Sequence, residues 1–182
     1  MTLAITVIGL VASLVALYEF FEQRRRRDIL RWREANKLLL DMLEKLERDK
    51  FNPGLILGVG RGGSIIAAMV ATNLEGRIPL ACVDTELSYD PGGKKLVVVR
   101  HAESAMDLQD YEVLIVVAEL YSGQDLVAAI DFVESRGVAS FRTMALLSGP
   151  TTVVKPDFCG QHTKHEPMAP WRITEAGKKG RI

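Results

Sequence analysis

Two short stretches of this chain gather residues that could hold an anion. The first is Gly60-Arg61-Gly62-Gly63-Ser64, directly after the apolar run Leu55 to Val59. The second is Val113 to Leu126, where a buried-strand pattern runs into Ser122-Gly123-Gln124-Asp125 and a helical pattern follows at once. Both have the order strand, glycine loop, helix. That order leaves backbone N–H groups without partners at a helix start, where the peptide dipoles favour negative charge. Arg61 adds a guanidinium, which can hold a phosphate through two hydrogen bonds. Gly62 and Gly63 permit close approach to the backbone, and Ser122 supplies a hydroxyl. A glycine loop can equally be a tight turn and nothing more, so one such loop alone is a weak signal.

The elements around these loops must bring them to one place. Loops after parallel strands meet at the carboxyl edge of a sheet, where open α/β folds bind ligands. Trp32, Ala35, Leu39, Met42 and Leu46 recur at spacings of three and four, so Glu22 to Lys50 reads as one long helix. Asn52-Pro53-Gly54 ends it. Strands are expected over Leu55 to Val59, Ile78 to Val83, Leu96 to Arg100, Val113 to Ala118 and Ser140 to Leu147. Helices are expected over Ile65 to Leu74 and Leu126 to Ser135, with loops at Gly60 to Ser64 and Ser88 to Lys95. Alternating strands and helices argue an α/β fold, a mostly parallel sheet flanked by helices.

At 182 residues, 48% apolar and 25% charged, the chain fits one folded domain. Its formal net charge of zero gives no support for a nucleic-acid partner. Cys82 and Cys159 lie too far apart in sequence to suggest a disulfide framework. One asymmetry stands out. Leu3 to Tyr18 carries no charge, Phe20 and Phe21 follow, and then come Arg24 to Arg27. A spanning helix needs roughly 20 apolar residues, and this run reaches the short end of the range. The arginines would hold the following chain on the cytoplasmic side. The expected organisation is therefore a transmembrane anchor over residues 1–23, an amphipathic segment over 24–50, a catalytic-type domain over 51–175 and a tail over 176–182.

From Phe51 to Trp171 the sequence resembles the type I phosphoribosyltransferases, most closely their xanthine–guanine branch. Arg61-Gly62-Gly63 resembles the core of the family's pyrophosphate loop, and Ser88-Tyr89-Asp90 falls where its flexible catalytic loop lies. Val113 to Leu126 falls on the signature for phosphoribosyl diphosphate (PRPP). Pro156-Asp157-Phe158 and Pro170-Trp171 resemble the segment bordering the purine. The resemblance implies attack of a purine nitrogen on the anomeric carbon of PRPP, with pyrophosphate leaving together with magnesium. Positive charge develops on the ribose in such a reaction, so nearby carboxylates help. Magnesium, the one cofactor implied, needs oxygen ligands and matters only if transfer is retained. No metal-binding residues of the chain itself are assigned.

The resemblance fails at the acids. The two adjacent acidic residues that hold the ribose hydroxyls fall on Val117 and Ala118, and Glu119 comes one residue late. The acid often cast as catalytic base falls on Tyr121. Ser122 is a fair substitute for the loop threonine, whereas Asp125 would repel a phosphate. The aromatic that stacks on the purine aligns near Glu166, which cannot replace a ring. Lys155 lies near the family's purine-contacting cation. Losing a hydrogen bond to a charged group costs about 1.5–3 kcal/mol, so PRPP binding should be much weakened. Candidate site residues are thus Glu119, Tyr121, Ser88 and Tyr89 for catalysis. Arg61, Gly62, Gly63, Ser122, Gly123, Gln124 and Asp125 are the candidates for phosphate or pyrophosphate. Lys155, Phe158 and Glu166 are those for the base side.

Cys159, His162 and His165 are spaced by three, but a structural zinc site wants a fourth ligand, and surface polar residues are the simpler reading. The expectation is a membrane-anchored domain that binds a nucleotide, PRPP or another phosphorylated metabolite, as a homo-oligomer, with transfer weakened or lost. Two rivals are a working purine phosphoribosyltransferase and a ligand-controlled membrane effector of the defence type.

Overall fold

The computed structural model describes residues 29–89, 95–100 and 107–172. The expected anchor, the tetra-arginine run, Asp90 and His101 lie outside the described residues. Among those described, no helix is long and apolar enough to cross a membrane. The chain divides into two compact units, one from Trp32 to His165 and the other holding residues up to Arg31 together with those from Glu166 onward.

The larger unit begins with α1, Trp32–Asp49. Of the helix expected over Glu22 to Lys50, the described part begins at Trp32, and Ile29 and Leu30 ahead of it are not helical. Ile29 instead makes a parallel bridge to Met168, and the Leu30 N–H donates to the Met168 carbonyl at 3.0 Å. Within α1 the expected stripe holds, with Ala35, Leu39, Met42 and Leu46 buried and Trp32 exposed. Next come β1 (Leu55–Val59), α2 (Gly60–Asn73), β2 (Leu80–Tyr89) and β3 (Lys95–Arg100). Then follow β4 (Glu112–Leu120), α3 (Gln124–Glu134), β5 (Ser140–Ser148) and β6 (Phe158–His162).

Six strands form one sheet in the order β3-β2-β1-β4-β5-β6. β1, β2, β4, β5 and β6 run parallel, and β3 pairs antiparallel with β2. β1 meets only the first part of β2, up to Val83, so Asp84 to Tyr89 and β3 form a hairpin beyond the carboxyl edge. The central strands are apolar throughout because helices cover both faces. Leu126, Ala129 and Val133 of α3 pack on one face against Leu57, Val59, Ile115 and Val117. On the other face, α2 comes so close that a Cβ on Gly58 would lie 2.7 Å from the Ser64 Cα. A Cβ on Gly160 would lie 3.2 Å from the Leu38 Cβ of α1 on that same face. β6 escaped the sequence reading because Phe-Cys-Gly-Gln-His has no alternation and sits among prolines. At the amino edge, Asp157 caps the turn into β6 by accepting from both the backbone N–H and the hydroxyl of Thr143 at 2.7 Å.

Candidate functional site

The first glycine stretch is not a loop ahead of a helix; it is the first turn of α2. Gly60 makes the strand-to-helix corner at φ +66°, a conformation that other residues adopt at a cost. Ser64 Oγ donates back to the Gly60 carbonyl at 2.8 Å, so this hydroxyl serves the helix. Gly63 is buried, and a Cβ there would sit 2.6 Å from the Val116 carbonyl oxygen of β4. Its missing side chain therefore lets helix and strand approach, and does not open a path to a ligand. Gly62 is half buried and Arg61 is exposed at the carboxyl edge. The first turn of α2 contains no acidic residue.

The second stretch follows β4, which pairs with β5 through Leu120 and Ser148. The strand therefore persists past Ala118, and Glu119 points to the opposite face from it, as period-two geometry requires. Glu119 is half buried; Val117 and Ala118 are 3% and 5% exposed. Gly123 adopts φ +81° as the cap of α3. One side of this turn is covered by the segment after β5. A Cβ on Gly123 would lie 2.6 Å from Thr152 Oγ1, and the Val153 N–H donates to the Ser122 carbonyl at 3.1 Å. Ser122 Oγ accepts from the Gln124 N–H at 3.3 Å. Asp125, exposed in the first turn of α3, accepts from the Thr85 hydroxyl at 2.5 Å. Thr85 lies at the base of the β2–β3 hairpin, so this bond ties the hairpin to the helix.

Tyr121 lies between these parts. Its ring packs on Gly149, where a Cβ would come 2.4 Å from Cδ1. Its hydroxyl pairs with Thr163 Oγ1 at 3.1 Å and donates to the His165 carbonyl at 3.3 Å. Its own carbonyl accepts from Thr151 Oγ1 at 3.1 Å. Beside it, the Ser148 hydroxyl is 1% exposed and has no hydrogen-bond partner among the described residues.

The structure thus brings Arg61, Ser122 to Asp125, Glu119 and Tyr121 to one edge. Ser88 and Tyr89 fall in the hairpin strand and not in a loop. Phe158 is a correction: it is buried at the amino end of β6, paired with Met144 in mid-sheet, so it serves the core. Lys155 is exposed just ahead of that strand. Glu166 belongs to the smaller unit and pairs with Arg172 at 2.5 Å. Thr85, Gly149 and Thr163 carried no sequence signal, since each acts only through residues remote in the chain. Among the described residues, no group of three or more His, Cys, Asp or Glu could hold a metal ion. Burial raises the pKa of Cys159 above the ordinary value, with the Lys45 charge partly opposing. A groove of about 800 Å³ opens between Leu43 of α1 and Leu74 beyond α2, at the opposite end of α2 from Arg61. It takes no part in this constellation.

Residues 26–174 match the phosphoribosyl transferase domain model. The chain belongs to this family. Among solved structures it is similar to a purine phosphoribosyltransferase from Pyrococcus horikoshii Ot3, at 29% identity and TM-score 0.67, covering 79% of this chain and 92% of that one. It shares its fold with a hypothetical protein from Neisseria gonorrhoeae with bound ppGpp, at 19% identity and TM-score 0.67, covering 82% and 96%. It also shares it with the xanthine-guanine-hypoxanthine phosphoribosyltransferase of Helicobacter pylori, at 14% and 0.65, covering 82% and 95%. No curated protein matches the chain. Set on the phosphoribosyltransferase pattern, the acid pair falls on buried Val117 and Ala118. Neither side chain has an oxygen with which to hold a magnesium ion or a ribose hydroxyl.

Proposed function

We propose that this chain is a membrane-anchored phosphoribosyltransferase-like domain that binds a phosphorylated ligand at the carboxyl edge and has weakened or lost transferase activity. The observation that carries this is the apolar, buried end of β4, Val117 and Ala118, with Arg61 exposed at the same edge of the sheet. Two missing hydrogen bonds to charged groups amount to roughly 100- to 10,000-fold in affinity. The developing positive charge on a ribose would also lack its facing carboxylates. Magnesium, if it takes part, would supply charge neutralisation of a diphosphate. Arg61 and the first amides of α2 would orient that diphosphate.

The anchor rests on the uncharged run Leu3 to Tyr18 and the flanking Arg24 to Arg27. Full-length protein is expected in the membrane fraction, and a chain beginning at Asp28 in the supernatant. Recovery of the full-length protein in the supernatant would remove the anchor from this reading. Calorimetry with PRPP and magnesium, followed by turnover assays with guanine, xanthine and hypoxanthine, tests the domain. Weak binding and no turnover are expected. Tight magnesium-dependent binding with turnover would establish the second reading, an active purine phosphoribosyltransferase. That reading has one observation in its favour, the 29% identity to a named purine enzyme over 92% of that enzyme's length.

A further inference from the structure

Helix α1 has a second face. Its inner stripe, Ala35, Leu39, Met42 and Leu46, is buried in the core. Trp32, Asn36, Leu40, Leu43 and Glu47 recur at spacings of three and four away from that stripe, so they line up along the helix. Trp32 is 46% and Leu40 55% exposed. A lone exposed leucine needs no explanation, but Leu40 borders the groove of about 800 Å³, whose apolar walls include Leu43, Phe51, Leu74 and Ile78. Connected apolar surface of this kind marks a contact. Charge decides what fits it. Glu44, Glu47 and Glu75 rim the groove, and none of the described residues lining it is a cation. The other half of α1 exposes Arg33 and Lys37. Arg33, Lys37 and Glu47 have no ion-pair partner among the described residues. Two copies meeting groove to groove would set carboxylates against carboxylates. Reversing one α1 against the other about Leu40 does the opposite. Arg33 lies seven residues before Leu40 and Glu47 seven after, so each Arg33 faces the partner's Glu47.

We propose that this face of α1 pairs antiparallel with the same face of a second copy, with Leu40 on the two-fold axis. Lys37 then lies beside the partner's Glu44. Trp32, eight residues before Leu40, reaches the partner's groove near Phe51. The face is self-complementary, as a two-fold interface requires, so every contact is made twice. Flanking charges of this kind set the direction in which paired helices run. The inference does not use the anion site, and the two stand or fall separately.

Sedimentation equilibrium on the full chain in a nonionic detergent tests this. The wild type should dimerise with a Kd of roughly micromolar order, since one helix face and a groove give a small interface. Leu40→Glu should weaken the dimer by more than about tenfold, and because Leu40 is exposed the variant does not endanger folding. Arg33→Glu alone and Glu47→Lys alone should each weaken it by about tenfold, because each sets like charges together twice. Mixing these two variants restores opposite charges at both contacts, so the mixture should form a heterodimer within about threefold of the wild-type Kd. A wild type that stays monomeric overturns the proposal. So does a dimer that Leu40→Glu leaves intact, which would place the association elsewhere, including the uncharged N-terminal run. Charge variants that do not recover on mixing overturn the antiparallel pairing about Leu40, and the proposal with it.

Discussion

The two glycine turns share one plan, apolar strand to glycine to helix, and finish with opposite electrostatics. The first turn of α2 carries Arg61 and no acid; the first turn of α3 carries Asp125 and no cation. Each helix start offers partial positive charge. At α2 that charge adds to an exposed guanidinium and faces solvent. At α3 it is already answered by a carboxylate, which Thr85 holds in place. The glycines differ too. Gly63 gives up its side chain so that α2 can touch the β4 backbone, whereas Gly123 is there for its positive φ. Similar letters therefore serve different physical ends, and the proposed anion site belongs to the turn that carries Arg61.

The largest effect should come from Gly63→Val. A Cβ at that position meets the Val116 carbonyl oxygen at 2.6 Å and the Val117 Cα at 3.3 Å, both backbone atoms in a central strand. Overpacking typically costs about 1–3 kcal/mol, and more where backbone must move. A loss of at least ~3 kcal/mol in urea unfolding is expected, or failure to fold. Gly123→Ala should cost less, about 2 kcal/mol, from positive-φ strain and a contact with Thr152 Oγ1, a side-chain atom that can move at the expense of its hydrogen bond to the Val154 carbonyl. An unfolding midpoint for Gly63→Val as high as the wild type's would end the contrast between a packing glycine and a conformational one.

Binding should separate the loops next. Arg61→Ala removes an exposed side chain, so stability should shift by no more than about 0.5 kcal/mol. Pyrophosphate affinity should fall by roughly 10- to 100-fold, the worth of a hydrogen bond to a charged group. Arg61→Lys should restore part of it, since a point charge remains but the two-pronged fork is gone. If Arg61→Ala binds pyrophosphate as the wild type does, the first turn is structural only.

Much of this was legible in the residues. Leu55–Val59 is a strand at the bounds its apolar run marks, and the stripe of Ala35, Leu39, Met42 and Leu46 is buried as its spacing requires. The displaced acids at Val117 and Ala118 were legible because a strand pattern and a glycine fix their positions. What escaped depends on partners distant in sequence. The break in the expected long helix ahead of Trp32 escaped, since nothing local in Ile29-Leu30 announces a bridge to Met168. Phe158 resembled a base-side ring because sequence shows a motif and not the level in the sheet at which it sits. Tyr121 could be read as a missing acid, but its bed on Gly149 and its bonds to Thr163 and His165 join residues 28 to 44 positions away. For the same reason Gly63 looked like a ligand-approach glycine. Its true neighbour, Val116, is more than fifty residues on.

The smallest effect should come from Thr85→Val, which keeps shape and removes only the hydroxyl that donates to Asp125. A hydrogen bond to a carboxylate can be worth about 1.5–3 kcal/mol, but Asp125 is exposed and water replaces the lost donor, so about 1 kcal/mol is expected. The loss should be local. Thr85 sits at the base of the β2–β3 hairpin, and Asp125 is its hydrogen-bonded anchor on α3. Amide exchange should therefore quicken in Thr85 to Ser88 and in the first turn of α3, with β1, β4 and β5 unchanged. Asp125→Asn should give a milder version, since an amide oxygen still accepts from Thr85 but the favourable carboxylate–dipole interaction, about 0.3–1 kcal/mol, is lost. Uniform acceleration across the whole sheet in Thr85→Val would mean that the bond supports global stability. The second turn would then not be a locally restrained counterpart to the open, cationic first turn.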